Sequence, residues 1–283
     1  MILKKVSIYI PAYNAEKTIK QTINSVINQT YQFDEIIIID DNSSDDTCKI
    51  INQFENIKLI KNKQNMGLGY NRNLGIKTSN NEIVASIDAD VVLDPEWLNT
   101  IIKNFQSEDN IMCGGKMTEK LVENKFNAWR AKYYSQNWGQ NDLDNPPFLF
   151  GCNTIQSKNI WEDVGGYDEK LLTNGEDIDY ANRIKSVSKF KLKYCSKALC
   201  EHMQNDNLDS LSRRVWRYHS FGYKIKKPSI YKTLKLSIKQ LKFFFNRSFK
   251  DLLKFNLYFI YINFIILVNF IKLEHINYKN SKK

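Results

Sequence analysis

Three short acidic clusters carry the residues that could do chemistry in this chain. Asp88-Ala89-Asp90 sets two carboxylates two residues apart, directly after the strand-like segment 82–87. A turn at a strand end can bring both carboxylates toward one point, and hard oxygen ligands in small number suit Mg²⁺ or Mn²⁺ shared with substrate phosphates. A lone pair of this kind is equally a turn or a cap, so its weight depends on its company. The second cluster, Asp40-Asp41-Asn-Ser-Ser-Asp45-Asp46, follows four consecutive isoleucines. Carboxylates so crowded repel one another unless a cation or hydrogen-bond donors sit among them. Ser43 with Asp46 has the spacing of a capping box opening a helix over about 45–53. That accounts for Asp45 and Asp46 and leaves Asp40 and Asp41 unexplained. In the third cluster, Asn174-Gly-Glu176-Asp177-Ile-Asp179, the acids start a helix whose Ile178, Ala181 and Ile184 can face a core. Acids there suit the helix dipole. The glycine-rich GGYDEKLLTNGED before them can also hold a carboxylate in a cleft, where a tuned pKa lets it take a proton from an incoming hydroxyl.

The elements that must position these residues can be read from periodicity. Apolar, β-favouring runs at 6–10, 36–39, 57–60 and 83–87 alternate with helical spacing such as Ile19, Ile23, Val26 and Ile27. Alternating strand and helix predicts an α/β fold with a mostly parallel sheet flanked by helices. Ligands of such sheets bind beyond the carboxyl ends of the strands. PAYN (Pro11 to Asn14), DDNSSDD and DAD all occupy such ends and outline one crevice.

The chain has 283 residues, 42% of them hydrophobic, enough for one large domain or one and a half. Its five cysteines are scattered and odd in number, with no C-x-x-C pair, which argues against a disulfide framework or a zinc site and fits a reducing cytoplasm. The first apolar stretch is too short and too polar for a secretory signal. The net charge of +10 is unevenly spread: residues 1–180 hold 18 Lys/Arg against 26 Asp/Glu, and residues 181–283 hold 23 against 5. We therefore expect a catalytic part over 1–205 and a basic, aromatic, helical extension over 206–283, with a Lys-Lys-Pro turn at 226–228 near the boundary.

In order along the chain, SIYIPAYNAEKTI, IIIIDDNSSDDT, NMGLGYNRNLGI, SIDADV, GCNTIQSKNIWEDVGGYDEKL and GEDIDYANRI resemble the family 2 glycosyltransferases of GT-A fold, over roughly residues 5–205. The resemblance implies a Rossmann-like nucleotide-sugar half (about 1–110) and an acceptor half (about 111–205). It further implies a nucleotide-diphospho-sugar donor, a divalent metal (Mn²⁺ or Mg²⁺) and inversion at the anomeric carbon. Carried onto this chain, it makes Asp41 an acceptor for the nucleotide base, with Tyr13 against the base, Asp40 supporting the turn, and Pro11 and Asn14 in the same loop. UDP- and GDP-sugars both remain open. Asp88 would touch the ribose or the metal shell, Asp90 would ligate the metal, and His202 could complete its shell. Arg72 is a candidate for base or phosphate contact, or else a surface helix residue; metal and arginine would together offset the carboxylates. Asp177 matches the general base, with Glu176 beside it orienting the acceptor or acting as the base itself. Trp129, Tyr133, Tyr134 and Trp138 fall on one amphipathic stretch, read as core packing ahead of a sugar platform.

The extension alternates lysines with phenylalanines before an apolar stretch at 255–271. As a helix that stretch would measure about 25 Å, short of a bilayer's hydrocarbon core of about 30 Å. It contains three asparagines and has basic residues on both flanks, including Lys282 and Lys283. In-plane or re-entrant attachment to an anionic membrane surface is therefore expected, with a soluble helical subdomain as the other reading. Such attachment suits a lipid-linked or cell-envelope glycan acceptor at the inner face of the cell membrane. Nucleic-acid binding is not expected, since no recognised module accompanies the basic residues. Two other classes compete with transfer: a sugar-phosphate nucleotidyltransferase, which would want a glycine-rich basic loop where PAYNAEKT stands, and a non-catalytic nucleotide-sugar or glycan-binding protein.

Overall fold

A computed structural model of the chain describes residues 4–105, 110–171, 174–220 and 229–280. These fall into two compact units, one drawn from residues 4–120 and 135–204, the other from residues 121–134 and 205–280. The turn expected at 226–228, the Leu172-Thr173 part of the glycine-rich segment, and Lys282 and Lys283 lie outside the described residues.

The first unit is built on a nine-stranded sheet in the order β3-β2-β1-β4-β8-β6-β9-β5, with β7 pairing on β9. Strands β1 (Val6–Ala12), β2 (Glu35–Asp40), β3 (Ile57–Lys61) and β4 (Ile83–Ile87) pair in parallel. The isoleucines of β2 are inaccessible at Ile37, Ile38 and Ile39, as a strand covered on both faces requires. Helices α1 (Ile19–Ile27), α2 (Thr47–Ile51) and α3 (Leu68–Thr78) make the crossovers. Beyond β4 the sheet turns mixed. β8 (Asn153–Ser157) runs antiparallel to β4 and to β6 (Ile111–Glu119); the long β9 (Lys191–His202) runs parallel to β6; β5 (Val91–Leu93) and β7 (Leu143–Asp144) run antiparallel to β9. Because β1 lies between β2 and β4, the order of strands along the sheet reverses there, and open sheets bind ligands beyond the carboxyl ends of the strands at such a reversal. Two apolar cores fill the faces. One is centred on Ile8, Ile38, Trp97 and Phe105, the other on Tyr9, Tyr167, Tyr180 and Ile184.

The second unit is helical. Helix α5 (Lys125–Tyr133), following α4 (Trp97–Ile101) in the first unit, supplies Trp129, which is fully buried against Leu211 and Val215 of α8 (Leu208–Ser220) and Ile262 and Ile266 of α10 (Leu257–Asn280). Trp129, Tyr133 and Tyr134 thus pack a core, whereas Trp138 packs on Phe148 and Phe150 in the first unit. Helix α9 (Ile230–Leu252) pairs antiparallel with α10, since Asp251 and Ser248 meet Asn263 near the corner and Thr233 meets Glu274 at the far end. Helix α10 continues past Ile271 to Asn280. At 24 residues it is longer than the apolar run suggested, so the length argument against a crossing does not hold.

Candidate active site

The loops after β1 and β2 lock into each other. The Asn14 backbone N–H donates to Ser43 Oγ (2.9 Å), and Asn14 Oδ1 accepts from the Ser44 N–H (2.9 Å). Glu16 N–H donates to Asp45 Oδ2 (3.1 Å), while Asp46 N–H donates to Glu16 Oε2 (3.2 Å). Ser43 is thereby drawn away from the expected capping box. No side chain caps α2; Asp45 instead accepts from Thr47. Asn14 adopts the left-handed conformation this crossing needs (φ 50°).

Asp41 is buried, and backbone donors hold it: Oδ1 accepts from the Met66 N–H (2.8 Å) and Asn62 Nδ2 (2.8 Å), and Oδ2 from the Gly67 N–H (2.9 Å). Gly67 serves because its φ of 84° is disfavoured for any side chain. Asp40, also buried, accepts only at Oδ2, from the Ser43 N–H (3.2 Å), and its Oδ1 has no partner. The crowded aspartates of this loop are met by N–H and hydroxyl donors, while the Arg72 guanidinium goes to Asp88 and Glu176 instead. Pro11 is the penultimate residue of β1, where only β2 lies alongside, and Tyr13, just beyond the strand, is 54% exposed.

Arg72 is no surface residue. On α3, and 1% exposed, it donates from Nη1 to Ser86 Oγ (2.9 Å) and the Gly151 carbonyl (2.7 Å), from Nη2 to Asp88 Oδ1 (3.1 Å), and from Nε to Glu176 Oε1 (3.4 Å). Its neighbour Asn71 accepts from the same Asn62 amide that serves Asp41 (2.7 Å). One turn of α3 thus connects the DDNSSDD loop, the DAD loop and the start of α7 (Glu176–Lys185).

At α7 the two adjacent acids differ in setting. Glu176 is buried, with Oε2 unpartnered; burial and then the Asp177 charge push its pKa up to about 7, against the pull of Arg72. Asp177 is half-buried and accepts from the Ile178 N–H at Oδ1 (2.8 Å). Burial raises its pKa too, opposed by Arg72 and by backbone donors at Ile178 and Gly151. Ala181 and Ile184 face the core as expected, but Ile178 is 41% exposed.

His202, the last residue of β9, stands between two carboxylates. Its Nε2 is 3.3 Å from Asp90 Oδ2, and its Nδ1 lies 3.2 Å from both oxygens of Glu119. Burial opposes charge on this ring, yet Asp90 and Glu119 outweigh it and lift the pKa to about 9. No group of three or more His, Cys, Asp and Glu side chains among the described residues is placed to hold a metal ion. The expected set of Asp88, Asp90 and His202 is not assembled, because Asp88 gives Oδ1 to Arg72. Asp90 with His202, and Glu119 fixing the ring from behind, do fit a divalent ion that takes its remaining ligands from a diphosphate and water. Glu119 escaped the sequence reading because 83 residues separate it from His202.

Comparisons with known proteins agree with this architecture. The family model described as Glycosyl transferase family 2 matches residues 7–165. An uncharacterized glycosyltransferase of Haemophilus influenzae is 30% identical over 197 residues, covering 67% of this chain and 61% of that protein. A poly-beta-1,6-N-acetyl-D-glucosamine synthase of Staphylococcus epidermidis is 27% identical over 241 residues, covering 81% and 57%. The chain thus spans about three-fifths of the length of these curated relatives. Among solved structures, the mannosyltransferase PcManGT of Pyrobaculum calidifontis, in complex with GDP-Man and Mn²⁺, superposes with a TM-score of 0.65 at 14% identity, over 99% of this chain and 88% of that one. Residues 1–349 of S. aureus TarS, in complex with UDP-GlcNAc, superpose at 0.60 and 16% identity, over 98% and 92%.

Proposed function

The chain belongs to glycosyl transferase family 2 and is a glycosyltransferase, and from that premise we propose that it moves a sugar from a nucleotide-diphospho-sugar to a hydroxyl acceptor in a single inverting displacement. The observation that carries this reading is Arg72 binding Asp88 and Glu176 at once, beside Asp177. The strand-end loops that suit a nucleotide diphosphate and the carboxylates that suit an acceptor hydroxyl then belong to one site.

In this reading Tyr13, Asp40 and Asp41 border the base, and Asp88 faces the donor. Asp177, the more accessible of the two acids, its pKa raised by burial, accepts the acceptor proton as the oxygen attacks the anomeric carbon. The nucleoside diphosphate leaves with the bonding pair, and configuration inverts. One base suffices, because a diphosphate needs no protonation to depart, unlike the leaving group of a glycosidase. A divalent ion held by Asp90 and His202 would stabilise charge on that diphosphate. Glu176, gripped by Arg72, keeps Asp177 in register. The acceptor we propose is a lipid-linked or cell-envelope glycan at the inner face of the membrane, in keeping with the polysaccharide synthase among the relatives.

Calorimetry with UDP and Mn²⁺ beside a transfer assay tests the assignment. Asp177→Asn should abolish transfer and leave donor binding largely intact, whereas Asp90→Ala should weaken binding. Full transfer by Asp177→Asn defeats the proposed base.

A further inference from the structure

The α9–α10 hairpin carries apolar side chains that nothing among the described residues covers. On α9, Leu234, Ile238, Leu241, Phe245 and Phe249 recur every three or four residues and are exposed, Phe245 by 61%. On α10, Tyr261, Phe264, Val268 and Ile271 do the same, Phe264 by 52%. The two stripes join: the Phe244 ring lies 5.2 Å from Phe245 and 6.4 Å from Phe264, centroid to centroid. Together they exceed the scattered apolar exposure of an ordinary soluble surface.

The charges are placed to match. Lys235, Lys239 and Lys242 of α9 share a helical face distinct from both its buried side and its apolar stripe, by their spacing at 100° per residue. Residues 229–280 hold nine Lys/Arg and two acids, and both acids, Asp251 and Glu274, are buried. The described surface of the hairpin therefore presents apolar, cationic and neutral polar side chains but no carboxylate to repel an anionic neighbour.

By length and composition α10 is also apolar enough to cross a membrane over Leu257–Lys279. Its inner side argues otherwise. Asn263 accepts from Trp129 Nε1 (2.8 Å) and donates to Asp251 (2.8 Å); Asn269 donates to Ser212 (3.0 Å); Glu274 accepts from Trp216 (3.0 Å) and Thr233 (3.2 Å). Those bonds tie one side of α10 to α5, α8 and α9, with the opposite face left for lipid.

We propose that the hairpin lies in the plane of an anionic lipid surface, its joined stripe sunk among the acyl chains and the α9 lysines meeting the headgroups. This deepens the reading of transfer at a membrane face and rests on it only for the purpose of the seating. The full chain should sediment with vesicles of phosphatidylglycerol and phosphatidylcholine, and at least tenfold less with phosphatidylcholine alone. Phe245→Ser with Phe264→Ser should cut sedimentation at least tenfold at unchanged melting temperature. Lys235→Ser with Lys239→Ser and Lys242→Ser should remove most of its salt sensitivity. Three results would overturn the proposal: no sedimentation, retention through an alkaline carbonate wash, or a lipid-free dimer broken by the phenylalanine variants with no vesicle binding. The assay needs no donor, so a chain that sediments but transfers no sugar refutes the transfer reading alone.

Discussion

Arg72 and Glu176, 104 residues apart, meet through a buried N–H to carboxylate contact of 3.4 Å, and the same guanidinium holds Asp88 at 3.1 Å. A lysine cannot reproduce that fork. Arg72→Lys should keep the fold but lower kcat on the order of 100-fold, with a smaller change in donor affinity. Single-turnover rates beside UDP calorimetry check this; an unchanged kcat would remove Arg72 from the positioning role.

Gly151 offers a milder way to disturb the same group. A Cβ built there would meet the Arg72 guanidinium at 2.9 Å. Gly151→Ala should displace Arg72 and reduce kcat roughly 10- to 100-fold. Wild-type turnover at wild-type melting temperature would show that the displacement does not matter.

Glu176 makes stability depend on pH in a stated direction. Its pKa in the folded chain, about 7, exceeds the ordinary 4.5 because burial and then Asp177 disfavour its charge. The folded state therefore binds more protons than the unfolded one between those values, so its contribution falls as pH rises from about 4.5 to 7. Glu176→Gln should stabilise the protein at pH 8 on the order of 1 kcal/mol and have little effect near pH 4.5. Paired denaturant melts at the two pH values measure the difference.

His219 gives the helical unit the opposite slope. Burial, then Lys239 and Arg247, lower its pKa to about 4, and its ring nitrogen lies 2.9 Å from the Tyr134 hydroxyl between Phe243 and Phe270. The unfolded chain binds the extra proton between about 6.5 and 4, so stability is lost as pH falls through that window. His219→Phe should flatten the acid limb of a thermal-unfolding profile; an identical limb in the variant would exclude this source.

Glu119 should matter to metal without touching it. Turning His202 loose weakens its use as a ligand, so Glu119→Gln should reduce Mn²⁺-dependent UDP binding 10- to 100-fold while metal-free unfolding barely changes. Equal Mn²⁺ affinity in the variant would separate Glu119 from the proposed ion site.

The parallel half of the sheet was legible because runs of β-branched residues alternate with helical spacing, as β1 and the α1 that follows it illustrate. The acidic strand ends were legible as well, since residue type alone marks them. What holds them was not. Asp41 is served by backbone N–H groups of Met66 and Gly67, which leave no side-chain signature. Arg72 was visible as a cation but not as buried, because its carboxylate partners come from β4 and α7, distant in sequence. The capping box failed for a related reason: Ser43 had a competing partner in Asn14, 29 residues earlier. Long-range pairing decides such outcomes, and local spacing cannot display it.

The interlock of the loops after β1 and β2 bears on any attempt to re-engineer donor preference. Asn14 and Glu16 on one side, and Ser43, Ser44, Asp45 and Asp46 on the other, exchange bonds in both directions. Neither loop can be transplanted alone without stranding the other's backbone amides. The two form a cassette, and grafts from a homologue should carry both halves or neither.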